Sequence, residues 1–600
     1  MSKEYIDGNQ LYNYIISGAH RLIAAEHSLN EINVFPVADG DTGTNLAFTM
    51  RTIIQKAKQD AAVHKTLMSI SGVAMENAYG NSGIIFAQYF HGLSVEAKNR
   101  EFITVKEFAE MTRNAVHFAY EAVANPVEGT ILTVMKGWSE ELLSGPNWDE
   151  VESLFERSLN RTKELVEQTR YGLKVLKKNN VVDAGAKGFM VFVEGILDFV
   201  RTGEIKKEKA FLKSYAAEQH DNHITAEVVK KNIYCSQYYV KTKTGMQEMK
   251  ENLAAFGDSI VVGSDGEYLS IHLHTDRPDL VMQHLNQLGE VATHRMEDMR
   301  LQSLMMNHKD RRIAIITDSI ADIPQTFLWD HKITMIPLNL ICDSVAYLDK
   351  VSMTPPIFYD AWDNFEIYPT SSQPSIDSIE KALRGLAGRY ASIIGLFVSK
   401  EMSGTFNNVS RMAAQLQQEG YPITIIDSKT NSVAEGLLVR KAAELVEKGL
   451  SYEAIVETLE EIKKDTHIYV IVKDLSYMLR GGRVSKTKGF ILSKIKLKPV
   501  ISIDEQGKGS IFQKTKTEAK ALEKIMEKVK KDHQSRGIEA YALVYADRIE
   551  EVRPLQEAMY ALTGQEPAYI EQISPIVGLN AGRGAVAVGY IKGGQSSCIQ

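Results

Sequence analysis

Cysteine is scarce: Cys235, Cys342 and Cys598 are the three in 600 residues, odd in number and far apart. That excludes a disulfide framework and favours a reducing compartment. Long apolar runs are missing as well. No stretch of about 18 such residues occurs, so no membrane-spanning helix is expected. The opening segment MSKEYIDGNQLYNYII puts Glu4, Asp7 and Asn9 where a signal peptide needs its apolar core, which points to a cytoplasmic protein. Neither sign of charge is in large excess: 69 basic against 76 acidic residues give −7, so no chain-wide basic field argues for nucleic acid. The G-x-x-x-x-G-K-S/T loop and the H-R-D and D-F-G set of protein kinases are absent, as is a nucleophile elbow with ordered Ser, His and Asp. Solenoid repeats and low-complexity tracts are absent too.

What is present reads as globular, with 44% hydrophobic and 24% charged residues. The length suggests three or four domains of about 150 residues. Leu11, Ile15, Ala19 and Leu22 recur at helical spacing, and Ala-rich helical patterns cover roughly 46–120 and 150–200, predicting an all-α barrel or bundle. Residues 201–225 are polar and charged and read as a connection. A small α+β segment follows: NIYCSQYYV as a strand, MQEMKENLAAF as a helix and DSIVVGSDGEYLSIHLHTD as a strand pair. MMNHKDRR marks the next boundary. From Ile313, apolar strands run repeatedly into Ser/Thr/Asp-rich loops and then helices, an α/β rhythm that puts polar groups at strand carboxyl ends.

The first chemical cluster is NVFPVADGDTGTN. Asp39 and Asp41, separated by Gly40, can aim at one hard cation, and Mg²⁺ prefers a few carboxylates plus phosphate oxygens. Gly43 lets backbone N–H groups come close to a phosphate. A plain turn uses the same residue types. Gly80-Asn81-Ser82-Gly83 and Pro126-Val127-Glu128-Gly129-Thr130 are two further helix starts able to receive anions.

With YGNSG, NPVEGTILTV and VVDAGAKGF in the same order, residues 1–200 resemble the ATP-binding L-subunit domain of dihydroxyacetone kinases, and more closely the kinase subunit of bacterial fatty acid kinase. The resemblance implies an all-α barrel in which Asp39 and Asp41, with Asn33, hold Mg²⁺. Thr42, Gly43, Thr44, Asn45, Asn81, Ser82 and Gly83 would meet the ATP phosphates, and Thr130 and Asp183 would line the nucleotide. Where glycerone kinases carry a third ligating aspartate, this chain has Val34 or Asn33. Ala38 replaces a proline usual in the fatty acid kinases.

His272 and His274, two apart on a predicted strand, share one face, and Cys235 on an earlier strand can complete three N/S ligands for Zn²⁺. Ordinary surface histidines and a buried thiol are the plain alternative. Residues 226–305 resemble the middle domain of the same kinase subunit through NIYC, GDSIVVGSDG and HLHTD, which favours zinc, with Asp276 or His294 as a fourth ligand.

Downstream, Asp318-Ser319, Ser371-Ser372-Gln373-Pro374, Ser403-Gly404-Thr405 and Asp427-Ser428 present neutral donors near strand ends, suited to a carboxylate or phosphate. Helix capping alone accounts for most of them. ITDSIADIP, TSSQPS, SKEMSGTFNN, DSKTNS, LRGGRVS and KPVISIDEQG make residues 312–600 resemble the DegV family, the fatty-acid-binding subunits of fatty acid kinase. That implies a two-lobed α/β fold with an acyl chain buried between the lobes. Ser371 and Ser403 would hold the carboxylate beside Ser372, Gly404 and Thr405, and Arg483 would act at the phosphorylated head or in docking. The family's histidine in H-x-G-P-G is replaced in Asn580-Ala581-Gly582-Arg583-Gly584; Asn580 can donate and Arg583 adds charge.

The third domain of the two-protein kinase, with its GGQTMNPS-like motif, is not found here, so the chain reads as a kinase–middle–carrier fusion. The resemblance implies an enzyme that uses Mg·ATP to convert a bound fatty acid to acyl phosphate for an acyltransferase of phospholipid synthesis. A lipid carrier with a regulatory or silent kinase domain, or a kinase of small hydroxylated substrates, are the alternatives. Lysines dense through KTKGFILSKIKLKPV read as a solvated face or as a patch for transient contact with an anionic membrane surface. Exposed apolar helical faces suggest a homodimer.

Overall fold

The computed structural model describes residues 5–144, 148, 151–208, 227–308, 310, 312–481 and 498–594. The chain forms two compact units, Met1–His308 and Lys309–Gln600, dividing within the MMNHKDRR segment. Arg483, Cys598, most of the connection at 201–225 and the lysine run through residue 497 lie outside the described residues.

The first unit begins as a ring of helices: α1 (Gly8–Ala24), α2 (Glu26–Glu31), α3 (Thr42–Lys56), α4 (Val63–Asn77), α5 (Gly80–Ala97), α6 (Val105–Ala122), α7 (Ile131–Leu143), α8 (Val151–Gly172), α9 (Lys174–Asn179) and α10 (Ala184–Thr202). The expected stripe of α1 is buried, Leu11 at 1% exposure and Ala19 and Leu22 at 0%. Packing runs α1–α3–α4–α5–α6–α7–α8–α10 and back to α1, which closes the ring. Phe86, Phe90, Phe189 and Phe192 fill its centre with ring centroids 5.6–6.0 Å apart. Two short strands, β1 (Tyr5–Asp7) and β2 (Phe102–Thr104), pair antiparallel beside it, a feature outside the all-α expectation. Thr104 then closes a reciprocal capping box with Glu107 that starts α6.

Helix α5 is buried on nearly every side. A ring helix ordinarily shows one polar face to water. Here the outer face is covered by a sheet of β4 (Asp258–Ser264), β5 (Tyr268–Thr275), β3 (Tyr234–Thr242) and β6 (Gly289–Asp298), antiparallel in the order β4-β5-β3-β6. Val261 of β4 belongs to the helical core, and Ser264 N–H donates to Gln88 Oε1 at 3.0 Å. The strand pair and helix expected from the sequence are present; β6 and the closing helix Met299–Met306 were not foreseen.

In the second unit, β7 (Ile313–Asp318), β8 (Thr334–Ile336), β12 (Ser392–Phe397) and β13 (Ile423–Asp427) form a parallel sheet ordered β13-β12-β7-β8. Both β7 and β12 are buried at every residue, as continuous apolar runs in a covered parallel sheet should be. A six-stranded mixed sheet, β16-β15-β14-β19-β17-β18, makes the other lobe: β14 (Thr466–Ile471), β15 (Val500–Ile503), β16 (Gly509–Gln513), β17 (Ile538–Tyr545), β18 (Ile570–Gln572) and β19 (Val586–Lys592). The helix Ser432–Glu447 packs on strands of both sheets and ties the lobes together. A small antiparallel sheet of β9 (Asn339–Cys342), β10 (Val345–Leu348) and β11 (Thr370–Ser372) carries Ser371. Among the described residues, no helix is long and apolar enough to cross a membrane.

The α1–α10 contact is a close backbone crossing. A Cβ added at Gly195 would lie 2.5 Å from Ser17 O and 2.7 Å from Gly18 Cα. Gly195→Ala should therefore destabilise the helical unit by about 1–3 kcal/mol through overpacking, read as a lowered calorimetric transition with the second unit's transition unmoved.

Candidate functional site

Short connections between antiparallel neighbours put the N-termini of α3, α5, α7 and α10 at one end of the ring, and specific contacts confirm it. A Cβ on Gly80 would meet the Asn45 side chain at 2.6 Å, and one on Gly185 would meet Ser82 Oγ at 2.9 Å and Ile131 Cβ at 3.4 Å. Tyr79 N–H donates to Thr49 Oγ1 at 3.2 Å, fixing the start of α5 on α3. Four helix N-termini then bring their partial positive charge to one place, with several of their N–H groups held by the Asn30, Asn33 and Asp183 side chains.

The aspartate loop lies there. Asp39 and Asp41 are 8% and 7% exposed, and Gly40 turns between them at φ 66°. Asn33 holds the loop rather than offering a ligand: its Oδ1 accepts from Asp41 N at 3.1 Å and Thr42 N at 2.8 Å, and its Nδ2 donates to Val37 O at 3.0 Å. With both carbonyl lone pairs engaged, the geometry gives it a brace's role in place of the expected metal contact. Asn30, which sequence reasoning missed, does the same for Thr44, accepting from its N–H at 3.0 Å and donating to its hydroxyl at 2.9 Å. Thr130 Oγ1 donates to Val127 O at 2.7 Å within its own loop. Asn81 Oδ1 is buried without a hydrogen bond. The donor set of two buried carboxylates facing oriented N–H groups fits a hard cation carrying phosphates.

Asp183 caps α10, accepting from Ala186 N at 2.8 Å. Burial pushes its carboxyl up to about 6, against the pull of hydrogen bonds from the Ala186 and Ile131 N–H groups. The family resemblance implied a place for Asp183 at the nucleotide; here it links the starts of α7 and α10.

In the sheet, Cys235 pairs with His274 across β3–β5, and Gln237 pairs with His272. Alternation puts Cys235, His272 and His274 on one face, and their ligand atoms lie within 4.8 Å of one another, all buried. Cys235 Sγ is 3.7 Å from His272 Nδ1. Burial drives His274 down to about 4, so its ring is neutral, the form a metal requires. Asp258 Oδ1 stands 3.6 Å from His274 Nδ1, an orienting carboxylate that sequence reasoning missed. Neither expected fourth ligand reaches the trio. His294 pairs with Tyr238, which points to the opposite face from Cys235, and Asp276 accepts from Ile233 N at 3.0 Å. The trio fits a tetrahedral metal with an open position.

This face is the one laid against the ring. Val261, in the row of His272, Gln237 and Arg295, joins the helical core, and the Arg295 guanidinium sits 4.5 Å above the Tyr79 ring, directly before Gly80. A Cβ at Gly40 would collide with Met306 Sδ of the closing helix. Trio and aspartate loop therefore face the same seam.

The second unit holds an apolar cavity of about 100 Å³ between its lobes, bounded by Val398 and Met402 from one lobe and Ile468, Ile501 and Ala587 from the other. Ser371 and Ser403 line it together with a neighbouring polar pocket that includes Ser372, Gln373 and Gly404, so hydroxyls mark its mouth. Ser403 Oγ also accepts from Thr405 N at 3.2 Å, a local turn contact rather than the expected cap, since Gly404 holds the N-cap position without a side-chain bond. Asn580 lines the cavity, its Nδ2 donating to Ile576 O at 2.9 Å and its buried Oδ1 without a hydrogen bond; it thus offers an acceptor. Arg583 is bound to Asp547 and Asp363. Asp318 and Ser428 brace backbone: Asp318 accepts from Ile320 N at 2.9 Å and Val398 N at 3.1 Å, and Ser428 Oγ bonds Thr430 O at 3.2 Å.

Residues 36–198 match the DAK2 domain, 231–305 the FakA-like middle domain of fatty acid kinase, and 312–593 the DegV family of uncharacterised proteins. By the first two matches the N-terminal half is similar to domains found in kinases. With the third, the matched domains follow one another along the chain in the order DAK2, FakA-like middle domain, DegV. An uncharacterised protein of Staphylococcus saprophyticus is 34% identical over 312 residues, 50% of this chain and 56% of that protein. One of Staphylococcus aureus is 32% identical over 321 residues, 52% and 58%. The chain thus spans little more than half the length of these curated relatives. A DegV fatty acid binding protein of Bacillus subtilis aligns with 30% identity over 47% of this chain and all 100% of its own, TM-score 0.43. A fatty acid binding DegV family protein of Streptococcus agalactiae aligns with 25% identity over 47% and 99%, TM-score 0.44.

Because the folded Asp183 titrates near 6 against an ordinary 3.8, the native state holds the extra proton between those values. Stability contributed at this site is greatest below about pH 4 and declines as pH rises towards 6. Relative to Asp183→Asn, the parent should lose stability over that window and level off above it, measured by thermal unfolding across pH.

Proposed function

We propose that the protein transfers the γ-phosphoryl group of ATP to the carboxylate of a fatty acid held in the DegV domain, giving acyl phosphate and ADP. The observation that carries this reading is a cavity with apolar walls and hydroxyls at its mouth, in one chain with a buried Asp-Gly-Asp loop ringed by four helix N-termini. Asp39 and Asp41 would hold Mg²⁺, which supplies neutralisation of phosphate charge when bound. The N–H groups opening α5, with Asn45, Asn81 and Ser82, orient the phosphates. Asn30 and Asn33 keep the loop in shape.

The acceptor needs no general base, since a fatty carboxylate with a pKa near the ordinary value of about 4.3 is already ionised at neutral pH. Positioning carries the reaction, which agrees with a site built of Asp, Thr, Asn and Gly. Ser371 and Ser403 hold the carboxylate while the tail remains in the cavity at about 0.8 kcal/mol per buried CH₂. Cys235, His272 and His274 would hold Zn²⁺, which adds positive charge where an anionic acceptor approaches. The acyl phosphate would pass to an acyltransferase of phospholipid synthesis, and Arg483 would serve the phosphorylated head or docking. Joining kinase and carrier in one chain replaces a bimolecular encounter with an effective concentration of about millimolar order.

Incubating the full-length protein with Mg·ATP, a fatty acid series and hydroxylamine should trap a lipid-dependent hydroxamate, lowered by about a hundredfold or more in Asp41→Ala. Bound lipid and bound ATP without hydroxamate would instead support a carrier with a regulatory kinase domain. Turnover of a small hydroxylated substrate in place of a fatty acid would favour the glycerone-type reading.

Metal analysis of the same preparation should find about one zinc per chain, lost in Cys235→Ser and in His272→Ala. Full zinc content in both variants would remove the metal from the trio.

A further inference from the structure

Gln237 is a buried amide that the proposed machinery does not use. It is 8% exposed, and its Nε2 makes no hydrogen bond. Leaving such a donor dry costs the folded protein its desolvation energy, so a site that retains one should repay it with a ligand. Its place in the sheet suggests which. Gln237 lies two residues from Cys235 on β3 and so shares its face; across the sheet it pairs with His272 on one side and Arg295 on the other. In that row Val261 packs into the helical core, so Gln237 lies in the seam between sheet and ring. Arg295 in turn sits over Tyr79 at the entrance to the α5 N-terminus.

We propose that Gln237 Nε2 and the Arg295 guanidinium bind an oxyanion beside the Cys235–His272–His274 trio. An amide N–H next to a guanidinium recognises carboxylate or phosphoryl oxygen, and the pairing is strongest where water is excluded. Naming that oxyanion as the phosphoryl group in transfer rests on the kinase reading above. Gln237 is then a direct contact to the transferred phosphoryl group rather than a ligand to the metal.

Two full-length variants separate the roles of the side chain. Gln237→Met keeps the volume and removes the donor; Gln237→Glu keeps the shape and puts a negative charge towards the anion. With the nucleotide site filled by Mg·ADP, calorimetric titration with inorganic phosphate should show binding that weakens about tenfold or more in both variants. Zinc content and thermal transition should match the parent. In the hydroxamate assay kcat should fall by a similar factor with KM for ATP unchanged. Phosphate binding and kcat within about twofold of the parent in Gln237→Met would overturn the proposal, since packing alone would then explain the residue. A parent that makes no hydroxamate, yet binds phosphate in a Gln237-dependent way, would remove the fatty acid kinase reading and leave the oxyanion site standing.

Discussion

Because α5 is buried on nearly every side, its outer face is not left to water, and the sheet β4-β5-β3-β6 covers it. That single burial decides where the chemistry of the first unit lies. The sheet face turned to α5 is the face of Val261, His272, Gln237 and Arg295, so the strands that seal the ring also bring thiol, imidazoles, amide and guanidinium to its seam. The same helix starts at Gly80, next to Asn45 and below the Arg295–Tyr79 stack. Hydrophobic burial, at about 25 cal/mol per Å², is thus the force that registers two sets of polar groups against each other.

The ring was legible in the sequence because its signals are local. Leu11, Ile15, Ala19 and Leu22 repeat at helical spacing, and the Asp-Gly-Asp, Gly-Asn-Ser and Gly-Thr segments fall between such patterns. The convergence of those segments also follows once helices alternate in direction. What stayed hidden depends on pairing between distant strands. Asp258 reaches His274 only because β4 pairs with β5, and Gln237 meets Arg295 only through β6, a strand not foreseen. His294 shows how sharp this dependence is: a one-residue change of parity puts it on the far face from Cys235, and no sequence pattern within β6 fixes that parity. Asn33 was legible as a polar residue of the loop but not as its brace, because that role is set by which backbone N–H groups its Oδ1 meets.

In the second unit the polar loops at the strand ends separate into two jobs. Ser371 and Ser403 reach the cavity mouth, while Asp318 is spent on backbone N–H groups and is pushed up to about 7 by its burial. Asp322 accepts from Ser432 Oγ at 2.6 Å and from Ser574 N at 2.9 Å, and Lys350 Nζ lies 3.1 Å away. Such a network is costly unless every partner stays in place, so it holds the two lobes to one arrangement around the cavity. Composition alone cannot sort these residues, since brace and ligand contact both call for Ser and Asp.

Dryness is the property the two units share. In the first, two buried carboxylates and four helix N-termini act in surroundings where charge is poorly screened, so small displacements carry large electrostatic consequences. In the second, apolar side chains line the cavity and hydroxyls mark its mouth. An acyl phosphate is a mixed anhydride that water destroys, so a protein making one gains from excluding water at both the transfer point and the carrier. On the proposed reading the site would need no catalytic base, because its reactants would arrive charged and the structure's task would be to hold opposite charges and oriented N–H groups around them in place of water. A buried amide such as Gln237 belongs to that economy, because a donor fixed in a dry seam is worth more to an incoming anion than one that must first shed its own hydration.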